Sequence, residues 1–140
     1  LIGDGPSMSE LKQLISDWKL EDCFDIRGKV NHGKDLTRLI NKGDVAYILS
    51  SFEGICMSAL ECIACGVPVV ATDVGDIKEY IKNNENGIVI PNSSRNDIIE
   101  NCVKSTEKIY LNGCKLNDVY KNYSAEKMID ELEEIFKKDL

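Results

Sequence analysis

Apolar positions along the chain follow two alternating rhythms. Leu11, Leu14, Ile15 and Trp18 recur at i, i+3, i+4 and i+7, the spacing of one helical face, so residues 8–19 are predicted helical. Ser7, with Glu10 three residues on, reads as the capping box of that helix. Leu1-Ile2 reads as the tail of a strand and Gly3-Asp4-Gly5-Pro6 as a turn. Cys23–Arg27 predicts a strand ending at Gly28, and Leu36, Leu39 and Ile40 a short helix stopped near Gly43. Val45–Leu49 and Val67–Ala71 are apolar without alternation, as strands covered on both faces are. Pro68 is expected near the strand entry, where a lost donor matters least. Between these strands, residues 55–65 predict a helix closed by Gly66. A short helix over 75–82, a strand at Gly87–Ile90, and helices near 94–109, 114–121 and 124–138 complete the chain. The last carries Met128, Leu132, Ile135 and Phe136 on one stripe.

Strand–helix–strand units with fully apolar strands predict an α/β fold, a Rossmann-like parallel sheet with helices on both faces, over residues 1–140 as one domain. Such sheets bind ligands at the carboxyl ends of their strands. That directs attention to the loops after residues 2, 27, 49, 71 and 90.

Composition narrows the chemistry. The net charge is −7, which argues against a nucleic-acid partner. No apolar run approaches the roughly 20 residues of a membrane helix, and the start has no signal-peptide pattern, so a soluble cytoplasmic domain is expected. The six cysteines are expected to be reduced thiols, because a chain with a full apolar core needs no staples. Cys62-Ile63-Ala64-Cys65 has the form of a redox or zinc pair, but no second pair accompanies it and packing inside a helix fits it better. The single histidine, His32, leaves no inventory for a Ser-His-Asp or Cys-His nucleophile.

The informative stretch runs from Ser50 to Ala71: strand end, loop, helix, glycine stop, strand. Glu53 lies just before the helix and Glu61 within it. Eight helical steps would span roughly 12 Å, too far for two carboxylates to share one reacting atom but suited to gripping both ends of a long polar ligand. The same spacing recurs at Glu126 and Glu134 on a solvated face, so the signal is the position at a strand-to-helix turn. Free N–H groups from Gly54 to Met57 would favour an anion such as a diphosphate. Flanking carboxylates would accept from hydroxyls. Hydroxyls, diphosphate and hydroxyls together describe a nucleotide sugar. A non-catalytic α/β nucleotide- or protein-binding module is the alternative; Asp4 and Asp73 would then matter and the two glutamates would be idle.

The segment "FEGICMSALECIACGVPVVATDVGDIKEYI" resembles the E-x7-E region of the family 4, group 1, retaining glycosyltransferases. "LIGDGP", "FDIRGKV", "GDVAYILSSFEG", "NGIVIP" and "YSAEKMIDELEEIF" resemble the family's companion motifs in the same order. The resemblance implies the C-terminal, donor-binding half of a GT-B fold, with 124–138 as its closing helix. It implies a hexosyltransferase of polysaccharide or glycolipid biosynthesis, taking a UDP- or GDP-type sugar and needing no metal. Glu53 would hold the donor sugar's hydroxyls and orient it for transfer. Gly54, Ile55, Cys56 and Met57 would offer backbone amides, and Glu61 would hold the ribose. The Gly28-Lys29-Val30 segment would line the base, and Gly3 and Gly5 would let the chain pass close to the cleft. Two positions depart from the pattern: Cys56 replaces a glycine, and Val74-Gly75-Asp76 replaces Val-Gly-Gly. The family's first domain strand, its Arg and Lys clamp on the diphosphate and its acceptor domain lie upstream of "LIGDGP". Residues 1–140 alone are therefore expected to be inactive, with an exposed or rearranged sheet prone to self-association, and the glycan or lipid acceptor and any peripheral membrane contact are expected to belong to the missing part.

Overall fold

A computed structural model describes residues 1–113, which fall into two compact units, Leu1–Leu39 and Ile40 onward. In the first unit, helix α1 (Met8–Asp17) buries Ile15 and half-buries Leu11 and Leu14, three positions of the stripe read from the sequence; the fourth, Trp18, caps the helix end and is exposed. The capping box is not made. Ser7 sits at φ −85°, ψ 5°, away from the extended backbone that aims a capping hydroxyl. The first turn instead uses carbonyls: Met8 N–H donates to Gly5 and Leu11 N–H to Ser7. The expected strand at 23–27 is absent as a regular element. Residues 21–23 form a 3-10 turn (Glu21–Cys23), and the chain beyond it makes three backbone bonds with the first residues. The Leu1 amine donates to Asp25 O (2.6 Å), Arg27 N to Leu1 O (2.9 Å) and Gly3 N to Gly28 O (2.8 Å). The two expected strands thus lie side by side in a parallel sense. Gly28, at φ 63°, breaks the register before a regular ladder forms. Helix α2 (Lys34–Ile40) follows.

The second unit is the sheet. Strand β1 (Ala46–Ile48), helix α3 (Met57–Ala64), strand β2 (Val69–Thr72), helix α4 (Ile77–Tyr80), strand β3 (Gly87–Ile90) and helix α5 (Arg95–Asn112) follow in chain order. The strands pair in parallel in the order β1-β2-β3, with Val70 aligned to Tyr47 on one side and Ile88 on the other. Both faces are covered, as fully apolar strands require. Val69 and Ala71 point into a core with Ala59, Leu60, Ile63, Ile77 and Tyr80 from α3 and α4. Val70 points the other way, into a core with Ile90 and Ile109, against which Ile98 and Cys102 of α5 pack. Pro68 precedes β2 and its carbonyl accepts from Ala46 N–H, so the missing proline donor is not needed in the ladder.

Element ends shift from the sequence reading where tertiary contacts intervene. The helix expected from 55 starts at Met57, and the one expected over 75–82 shrinks to a single turn, Ile77–Tyr80. Among the described residues no further strand pairs with the outer edge of β1, whose Tyr47 is about half exposed, as is Leu49 just beyond it. No helix there is long and apolar enough to cross a membrane. The helices expected at 114–121 and 124–138 lie outside the described residues.

Candidate functional site

The carboxyl ends of β1 and β2 meet through their loops. Thr72, fully buried at the end of β2, donates its hydroxyl to the Ser50 carbonyl at 2.5 Å. Gly75, in the loop after β2, sits at φ 52° against the backbone of the loop after β1. A Cβ there would run into the Glu53 carbonyl oxygen and stand 2.5 Å from that of Gly54. Asp76, exposed beside it, donates its N–H to the Gly54 carbonyl at 3.4 Å.

Glu53 lies in this supported loop and is half-buried. Ser50 Oγ donates to its Oε1 at 2.6 Å. Cys56 is buried and extended (φ −80°, ψ 91°), which makes it the N-cap of α3 and explains why the helix begins after it. Burial pushes its thiol pKa up. The nearby Ala59 amide opposes this and the Glu53 charge reinforces it, so the thiol keeps its proton.

The four residues expected to offer amides do not behave alike. The Cys56 N–H is already spent: it donates to the buried hydroxyl of Tyr80 at 2.9 Å. For Cys56 the expected amide contact is therefore not available in this geometry. The amides of Gly54, Ile55 and Met57 make no hydrogen bond among the described residues. Gly54, Ile55 and Met57 are exposed. Glu61 is half-buried on the α3 face shared with exposed Met57 and Ala64, one turn into the helix. Because α3 starts at Met57, the helical rise applies only to the last four of the eight steps, about 6 Å. Glu53 reaches the site on a loop instead.

Gly3, Gly5, Gly28 and Val30 belong to the first unit. Gly3 and Gly28 are brought together by the hydrogen bond between their backbones, and both hold a left-handed φ (127° and 63°). Gly5 N–H is taken by the Asp4 carboxylate, and Val30 is half-buried.

Tyr80, Thr72 and the pairing role of Ser50 were not legible as site features. The available signal for Tyr80 was a tyrosine in a core pattern with Ile77 and Ile81, since a buried phenol needs a partner for its hydroxyl. Nothing local names that partner, which is 24 residues away. The thiol-redox reading finds no support: Cys62 is buried, and burial pushes its pKa up to about 11. Among the described residues no cluster of three His, Cys, Asp or Glu side chains is arranged to hold a metal ion.

Comparison with known proteins bears on this arrangement. The profile of the family described as "Glycosyl transferases group 1" matches residues 1–108. The N-acetyl-alpha-D-glucosaminyl L-malate synthase of Bacillus anthracis is 28% identical over 97% of this chain and 36% of its own length. The alpha-D-kanosaminyltransferase of Streptomyces kanamyceticus is 32% identical over 65% of this chain and 23% of its own. The chain thus spans about a third or less of the length of these relatives. The crystal structure of the pneumococcal O-GlcNAc transferase in complex with UDP and GlcNAc superimposes with a TM-score of 0.79 at 20% identity, over 98% of this chain and 28% of that one. That of Anabaena HepE with UDP and glucose gives 0.76 at 22% identity, over 99% and 40%. At these identities the structural likeness establishes the fold, that of GT-B glycosyltransferases. A parallel sheet whose strand ends carry the E-x7-E segment, matched in profile over most of its length, places this chain in the group 1 glycosyltransferase family.

Proposed function

We propose that the Glu53 loop and the start of α3 form the donor site of a retaining sugar transferase. It would move a hexose-type sugar from a nucleoside diphosphate to a glycan or lipid acceptor. The carrying observation is the half-buried Glu53 carboxylate, held by the Ser50 hydroxyl beside a helix start whose Gly54, Ile55 and Met57 amides have no partner among the described residues. Support comes from the pneumococcal and Anabaena structures, which hold UDP with GlcNAc or glucose on the same fold.

In this reading Glu53 accepts from the donor sugar's hydroxyls and fixes the ring. The free amides and the α3 dipole take the diphosphate. Glu61, one turn along, accepts from the vicinal ribose hydroxyls. As the bond from the anomeric carbon to the phosphate oxygen breaks, negative charge grows on the leaving diphosphate, where these donors are strongest. The acceptor hydroxyl attacks from the same face and its proton passes to that phosphate oxygen, so the configuration is kept. The reading calls for no metal: the free amides, together with the Arg and Lys clamp that the family resemblance places upstream, would neutralise the leaving group.

Calorimetric titration tests the reading. Wild-type protein is expected to bind a nucleoside diphosphate. Glu61→Ala should weaken the nucleoside diphosphate about tenfold, the loss of a good charged hydrogen bond, while leaving inorganic pyrophosphate unchanged. Equal loss for both would contradict the ribose role, and no binding of UDP or GDP by the wild type would overturn the donor site.

A further inference from the structure

We propose that Ser50 is a positioning residue for the donor sugar, holding Glu53 from a seat that the buried Thr72 fixes. This inference rests on the reading of Glu53 as the carboxylate that grips the sugar. Thr72 closes β2, the middle strand of the sheet, where it is aligned to Ile90 of β3 and fully buried. The next amide, Asp73 N–H, donates to the Ile90 carbonyl at 2.8 Å, so the ladder holds past the end of the strand. The Thr72 hydroxyl has one proton, and two carbonyls of the β1 segment face it, Ser50 at 2.5 Å and Ile48 at 3.5 Å. The shorter contact takes it. A buried hydroxyl needs such a partner, and a β-branched side chain holds its direction. Ser50, just beyond the end of β1, is thereby tied to the centre of the sheet.

Ser50 then acts on the site itself. Its Oγ donates to Glu53 Oε1 at 2.6 Å, the length of a hydroxyl bond to a carboxylate. A carboxylate pinned through one oxygen turns the other, Oε2, in a set direction, where it can accept from a sugar hydroxyl. The gain is preorganisation, since a side chain already held gives up less freedom when the ligand arrives. The backbone beneath is fixed separately: Gly75 lies against the Glu53 and Gly54 carbonyls, and Asn92 Nδ2 donates to the Ser51 carbonyl at 3.4 Å. Deleting the Ser50 hydroxyl should therefore loosen the carboxylate and leave the loop in place. The Met57 amide and Glu61 stand on α3, which Ala59, Leu60 and Ile63 hold in the core. The diphosphate and ribose end should not sense the change.

Ser50→Ala deletes the hydroxyl, Ser50→Thr keeps one, and Glu53→Ala removes the carboxylate it holds. These variants, and Ser50→Ala combined with Glu53→Ala, would be titrated beside wild type with UDP and UDP-glucose, and with GDP and GDP-mannose, and compared on whichever pair the wild type binds. Ser50→Ala is expected to weaken the nucleotide sugar roughly fivefold and the free nucleoside diphosphate less than about twofold. Ser50→Thr should stay within about twofold of wild type on both. In the absence of Glu53, the Ser50→Ala change should cost the nucleotide sugar less than about twofold, because the group it positions is gone. Thr72→Val, which keeps the shape and deletes the hydroxyl, should give the same selective loss by a smaller factor, and Thr72→Ser should not. Equal weakening of both ligands in Ser50→Ala, an unchanged nucleotide sugar, or the full loss persisting without Glu53 would overturn the inference while leaving the donor site standing. A wild type that binds the free diphosphate but not its sugar conjugate would do the same. A wild type that binds neither pair would overturn the donor-site reading, and this inference with it.

Discussion

Gly75 and Gly54 look equivalent in the sequence, and their surroundings separate them. Gly75 holds a left-handed φ of 52° with its α-carbon against the Glu53 and Gly54 carbonyls, whereas a Cβ on Gly54 would meet nothing within 4 Å. Gly75→Ala is expected to cost about 1–3 kcal/mol of stability and to displace the Glu53 loop. Gly54→Ala should fold normally, and paired denaturant titrations check the contrast. Cys62 gives a pH prediction. Its thiol pKa rises from 9.0 unfolded to about 11 in the fold, because burial penalises the thiolate. The proton-bound form is thus favoured in the native state. Its contribution is complete below pH 9 and is lost as pH rises toward about 11, by at most about 2–3 kcal/mol. Denaturation curves across that window should show the decline, and Cys62→Ala should flatten it.

Elements took their type from the chain and their ends from each other. The helix starts at residues 7 and 94 show this. Both are serines followed three residues later by an acid. Ser94 is extended (φ −62°, ψ 154°), so its hydroxyl oxygen accepts the Asp97 N–H and its proton goes to the Asp97 carboxylate at 2.6 Å. Ser7 is not extended and makes no such bond. Ser94→Ala is therefore expected to lower stability by about 1 kcal/mol and Ser7→Ala to change it little, as thermal midpoints of the two variants would show. The late start of α3 and the single turn of α4 have the same kind of cause. Cys56 is held extended, so α3 cannot start before it, and Asn86 takes the Lys82 N–H that a longer α4 would have bonded within itself.

At the scale of the whole molecule, a ligand that binds only the folded state should stabilise it, by about 2.7 kcal/mol at a hundredfold excess over its Kd. The nucleoside diphosphate is expected to raise the thermal midpoint accordingly. A chelator should not reverse the shift, since the proposed site uses amides and carboxylates without a metal; reversal on chelation would contradict that part of the proposal. Transfer to an acceptor is not expected from these 140 residues, which span 36% and 23% of the two curated relatives compared above. Product analysis with labelled donor would detect any turnover.

Periodicity and turn residues by themselves determined the α/β class, the parallel sheet and the loop in which Glu53 lies, because burial on both faces leaves an unbroken apolar run and ligand loops follow strand ends. The identity of Glu53 and Glu61 as candidates was also local, visible in one continuous segment. Only the tertiary structure decided which amides are free, what holds Glu53, and why Gly75 has no side chain. Those answers depend on Tyr80, Thr72, Ser50 and Gly75 meeting across separations of up to 24 residues, and a hydrogen bond between distant side chain and backbone leaves no pattern in the order of residues.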